Sequence, residues 1–232
     1  MLELLNYLNL KNKMDFNQAL ELLENMLKER TDNGSYSWGK KQGNLSDRKT
    51  DFIYKIRSYS ALLEKCQSEN LDRPLTEYAK NRWLNFKSAQ AIEAMFSQHH
   101  SVRKEADQYH QSIDFYINNI NFDHKTSQFP RGFGHNLEYA LKNKKEIIEW
   151  LYKNQSTERR MHFENRLFVI LYDTKNKQHW KLKSDLRGIY TKITDYLDNF
   201  DQNALIALDQ GLLKDGKPSN KIIYSDVIWY VK

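Results

Sequence analysis

Residues 112–127 read SIDFYINNINFDHKTS, a stretch in which two aspartates and a lysine interrupt an otherwise ordinary hairpin pattern. Asn118 and Asn119 suit a two-residue type I′ turn, because asparagine tolerates the positive φ that both central positions require. With that turn, Ile117 faces Ile120, Tyr116 faces Asn121, Phe115 faces Phe122, and Asp114 faces Asp123. Alternation then sorts the side chains by face. Ile113, Phe115, Ile117, Ile120, Phe122 and His124 form a core face, and Asp114, Tyr116, Asn121, Asp123 and Lys125 form the other. Two carboxylates opposed at roughly 5 Å between Cβ atoms repel unless something compensates them. A divalent cation does so, and Mg²⁺ is commonly held by one or two carboxylates, with waters and substrate phosphate oxygens completing its shell. Such an ion polarises a phosphoryl oxygen and acidifies a bound water. Lys125 shares the face of Asp123, where its ammonium can orient that water or offset charge growing on the phosphate. These are the parts of metal-dependent phosphodiester hydrolysis.

The pattern Asp114, eight residues, Asp123, His124, Lys125 resembles the signature of the PD-(D/E)XK phosphodiesterase superfamily, with its restriction-endonuclease-like fold. Ile113 stands where a proline is common, and Asp123 where glutamate is commoner. The resemblance implies that Asp114 and Asp123 ligate Mg²⁺, with Mn²⁺ as a substitute, and that Lys125 positions the attacking water. It implies an accessory ligand or base in Glu93, in AQAIEAMF upstream, and a ligand in the backbone carbonyl of His124. It also implies a nuclease in restriction, defence or DNA processing, cutting DNA rather than RNA. The matching order of helix, hairpin, helix and strand covers fewer than half of the residues.

The elements that would position these groups are legible in outline. The first seventy or so residues lack strand signals, and FNQALELLENMLKER places Phe16, Ala19, Leu20, Leu23 and Leu27 at helical spacing behind Asp15 as N-cap. Residues 31–50 are rich in Gly, Ser, Asn and Asp and read as a loop, a second helix is expected over DFIYKIRSYSALLEKCQ, and a long one from Leu75. Thereafter come a weak strand over 102–106, the hairpin, an amphipathic helix in NLEYALKNKKEIIEWLYKN, and NRLFVILYD, whose continuous apolar run suits a strand buried on both faces. A further helix over KSDLRGIYTKITDYLDNF and a terminal strand in NKIIYSDVIWYV complete the pattern. The expected fold is α/β, a central mixed sheet flanked by helices, with a helical N-terminal region over 1–72 and a nuclease-like core over 73–232.

Composition narrows the partners. The chain has 232 residues, a formal net charge of +6 and a single cysteine, Cys66, which excludes a disulfide framework and a cysteine-based zinc site. No run approaches a membrane span and the N-terminus lacks a leader pattern, so a cytoplasmic protein is expected. From Lys125 to Arg187 fourteen Lys or Arg stand against seven Asp or Glu, so the rest of the chain sums to −1. A local basic surplus suits a polyanion, and Arg131, in a loop with Gly132 and Gly134, and Gln155, Arg159 and Arg160 are candidates to meet a phosphate backbone. Two other readings are a nucleic-acid-binding protein without catalysis, its acids structural, and an interaction module whose N-terminal helices dock a partner. A homodimer would suit cutting both strands of a duplex.

Overall fold

The structure, a computed structural model, describes residues 14–40, 42–107, 112–154 and 163–232. These fall into two compact units, one drawn from residues 14–94 and 178–190, the other from 95–177 and 191–232.

The first unit is helical. Helix α1 (Phe16–Asp32) starts with a capping box, Asp15 accepting from the Gln18 N–H at 2.9 Å while its own N–H reaches Gln18 Oε1 at 3.1 Å. The five apolar residues expected on its inner face are all buried. Short α2 (Asn44–Lys49) falls inside the expected loop. The second expected helix is broken: residues 51–54 make a 3₁₀ turn, and α3 (Tyr59–Ser68) begins afresh behind Ser58, whose hydroxyl accepts from the Ala61 N–H. Serine is a good N-cap and a poor helix interior residue, which accounts for the break. Helix α4 (Arg73–Phe96) follows. Residues 178–190 return to this unit, carrying a 3₁₀ segment (His179–Ser184) against α1 and the first turn of α7 (Leu186–Asp198). Buried Glu24 caps that turn, taking the Arg187 backbone N–H at 3.0 Å, Arg187 Nη2 at 3.0 Å and Lys28 Nζ at 2.6 Å.

The second unit is built on a six-stranded mixed sheet, in the order β1-β2-β3-β4-β6-β5. The strands are β1 (Val102–Lys104), β2 (Phe115–Ile117), β3 (Ile120–Gln128), β4 (Arg166–Tyr172), β5 (Ile206–Asp209) and β6 (Ile222–Val231). β1, β2 and β3 form an antiparallel meander, and the chain then crosses through α5 (Leu137–Lys142) and α6 (Lys144–Asn154) to set β4 parallel to β3. β6 lies parallel to β4 on its other side, so all but the last residue of β4 is buried, as its unbroken apolar run requires. β5 pairs antiparallel to the start of β6 and is followed by short α8 (Gln210–Lys214). Ile147, Ile148, Leu151 and Tyr152 of α6 pack on Phe168, Ile170, Ile223 and Val227 of the sheet. Among the described residues no helix is long and apolar enough to cross a membrane.

The hairpin turn takes the expected form, with φ of 46° at Asn118 and 69° at Asn119, and the pairs Ile117–Ile120, Tyr116–Asn121 and Phe115–Phe122 form in the expected register. Since a β-branched residue is strained in the left-handed region, Asn119→Val should cost about 1–2 kcal/mol in urea denaturation while Asn119→Gly should hold or raise stability. Glu24 makes a second prediction. Burial pushes its carboxyl up, but the bonds from Arg187 and Lys28 outweigh that and bring it from 4.5 down to about 2. A depressed carboxyl stabilises the fold fully above pH 4.5 and loses that contribution as pH falls towards 2. Glu24→Gln should therefore lower the melting temperature at pH 7 and flatten its fall across that window.

Candidate active site

The site expected from sequence lies in the second unit, around the middle of β3. Asp123 is buried, and its side chain shares a sheet face with Arg166, its parallel partner at the start of β4. Arg166 Nε and Nη2 both meet Asp123 Oδ2, at 2.7 and 2.6 Å. Lys125, two residues along the same face, brings Nζ to 3.1 Å from Asp123 Oδ1, its side chain half exposed. The guanidinium carbon of Arg166 lies 5.2 Å from the centre of the Tyr152 ring and 5.8 Å from that of Phe168. One carboxylate thus holds two protein cations, one on each oxygen.

Asp114 departs from the expected geometry. The ladder stops at the Phe115–Phe122 pair, and Asp114 lies before β2 with its N–H on the Phe122 carbonyl at 2.9 Å. In a continued ladder the Ile113 carbonyl would take the His124 N–H. Here the Asp114 side chain takes it instead, Oδ2 accepting from His124 N at 2.7 Å and meeting His124 Nδ1 at 3.1 Å. Burial raises the Asp114 carboxyl, but the two His124 bonds and the charge of Lys125 outweigh it, so the group stays ionised below the ordinary carboxylate range. An ionised carboxylate only accepts, so His124 Nδ1–H is the donor to it. Among the described residues His124 Nε2 is buried without a hydrogen-bond partner, and the ring lies near Phe96 and Phe115. His124 therefore sits on the core face as expected, yet it also engages Asp114 through its side chain, which sequence reasoning did not foresee. The two acids are both under the influence of Lys125, but they are held by different partners and do not form the simple facing pair.

The remaining candidates are less concentrated. Glu93 is half-buried on α4 and belongs to the first unit. Arg131 is exposed at the start of a 3₁₀ turn (Arg131–Phe133) after β3, where a Cβ on Gly132 would come 3.0 Å from the Trp150 ring. Gln155, Arg159 and Arg160 lie outside the described residues. Much of the basic surplus is spent within the protein: Lys142 pairs with Glu138 at 2.8 Å, Lys144 with Asp226 at 2.7 Å, Arg166 with Asp123, and Arg187 with Glu24. Lys181, Lys183 and Arg187 moreover belong to the first unit. Sequence reasoning missed Arg166 and Asn165. Asn165 Nδ2 donates to the Asn121 carbonyl at 3.1 Å and its Oδ1 accepts from Tyr224 N–H at 2.8 Å, which ties β3, β4 and β6 together beside the site. The one available signal was their place at the polar mouth of an apolar strand.

Compared with protein-family models, curated proteins and solved structures, the chain matches none of them. Among the described residues no three His, Cys, Asp or Glu side chains gather as a metal cluster. A hard cation such as Mg²⁺ needs fewer, and carboxylates suit one in kind: the bonds from Arg166 and His124 fall on Oδ2 of their acids. Lys125 shares Oδ1 of Asp123 and would have to yield it. The Asp123–Arg166 pair has its own test, because removing one partner of a buried ion pair leaves an uncompensated charge. Arg166→Ala should cost about 3–5 kcal/mol in chemical denaturation. Adding Asp123→Asn should recover part of that loss, a non-additivity absent if the two groups do not interact.

Proposed function

We propose that the chain is a metal-dependent nuclease, hydrolysing phosphodiester bonds in DNA rather than RNA, with a core of the restriction-endonuclease kind. The observation that carries this reading is the acid and lysine of one strand meeting at 3.1 Å, Asp123 with Lys125, on the second strand of an antiparallel hairpin from which the chain crosses through helices to a parallel strand. The ionised Asp114 beside His124, within the field of Lys125, supplies the second acid. Asp114 and Asp123 would hold Mg²⁺ or Mn²⁺, which when bound polarises phosphoryl oxygen and acidifies water. Lys125 would hold the attacking water by hydrogen bonding or offset charge on the phosphate, and Arg131, exposed beyond β3, would meet the backbone. A dimer would bring two such sites to a duplex.

A second reading, a nucleic-acid-binding protein without catalysis, draws on one observation: Arg166 and Lys125 already neutralise Asp123 without a metal. Cleavage assays separate the two. Supercoiled plasmid and a single-stranded oligonucleotide, incubated with Mg²⁺, Mn²⁺ or EDTA, should be cut by the wild type only with metal, and about 100-fold more slowly or worse by Lys125→Ala. Nucleic acid bound equally well in EDTA and left intact by folded wild-type protein would instead establish the second reading.

A further inference from the structure

The two cations on Asp123 differ in how firmly they are held. Arg166 is buried, two of its nitrogens bind one oxygen, and its guanidinium lies over the Tyr152 ring with Phe168 beside it. Lys125 reaches the other oxygen from a flexible, half-exposed stem. A divalent ion arriving at Asp123 can therefore displace Lys125 from Oδ1, whereas Arg166 stays. The ion then shares its carboxylate with a fixed positive charge in a partly desolvated place, where repulsion is screened far less than in water. That repulsion falls when a phosphodiester brings its own negative charge.

We infer that Arg166 sets the metal threshold of this site, keeping a divalent ion weakly bound to Asp123 until a nucleic-acid backbone is present and so coupling metal loading to substrate. The inference rests on the nuclease reading. It makes Arg166 a positioning residue, acting through Asp123. Coupling of this kind is reciprocal, so metal should tighten nucleic-acid binding by the factor by which nucleic acid tightens metal.

The test is calorimetric titration of the full chain with Mn²⁺ alone, for the wild type, Arg166→Gln, Arg166→Lys and Asp123→Asn. Arg166→Gln keeps a donor for Oδ2 while removing the charge, and should bind Mn²⁺ roughly tenfold or more tightly than the wild type. Arg166→Lys, which keeps the charge, should stay near wild type, and Asp123→Asn should lose the binding. A purely structural Arg166 would lower the melting temperature of Arg166→Gln without tightening Mn²⁺. A phosphorothioate duplex followed by fluorescence anisotropy with and without Mn²⁺ should show strong coupling in the wild type and little in Arg166→Gln. Should circular dichroism show Arg166→Gln unfolded, Arg166→Met, which refills the slot beside Tyr152, takes its place. Tightening no greater than that of Arg166→Lys, in protein that still cuts plasmid with metal, overturns the inference and leaves the nuclease. No Mn²⁺ uptake by any form, with no cutting by the wild type, overturns both.

Discussion

A carboxylate on the central strand of a sheet, packed under a helix, must be neutralised by something, and the second unit is arranged around that constraint. Asp123 is buried where β3 meets β4, with solvent unable to do the work. The parallel register that sets Asp123 beside Arg166 brings a guanidinium to the acid, and Tyr152 of α6 closes over it. Slipping the register by one residue would turn Arg166 to the other face and leave an unpaired charge at large cost. The ion pair and the pairing of β3 with β4 thus specify each other. Asn165 reinforces the same register from outside the strands by holding Asn121 and Tyr224 at once.

The second acid obeys a different economy. Asp114 stands where the hairpin ladder ends, and its side chain replaces a backbone acceptor that the strand would otherwise have supplied. A carboxylate accepting a backbone N–H and an imidazole N–H is stabilised in its charged form without a metal. Local backbone geometry therefore sets the environment of Asp114, whereas long-range pairing sets that of Asp123. Lys125, on the solvent side, is the group whose charge acts on both.

This contrast explains what could be read from the sequence. The Asn118–Asn119 turn and the three pairs beside it follow from local φ preference and period-two alternation, and both hold. The apolar run of β4, the inner face of α1 and the terminal strand are equally local signals. Asp114 opposite Asp123 was an extrapolation of the ladder one pair too far, and no periodicity marks where a ladder stops. Arg166 was counted as one basic residue among fourteen, because its partner lies 43 positions away and only the β3–β4 register joins them. The return of residues 178–190 to the helical unit was invisible for the same reason: Glu24 and Arg187 are 163 positions apart.

Glu24 and Asp123 also show why a count of charge along a chain is a poor map of its surface. Each is a buried acid whose arginine comes from a distant segment, and each arginine was part of the surplus that suggested a polyanion. Charges committed to buried partners add nothing to an outward field. Of the exposed cations in the second unit, Arg131 follows β3 directly, and Lys125 lies on β3 already paired with Asp123. The partner of each cation in the surplus therefore says more about this surface than the net charge of the chain does.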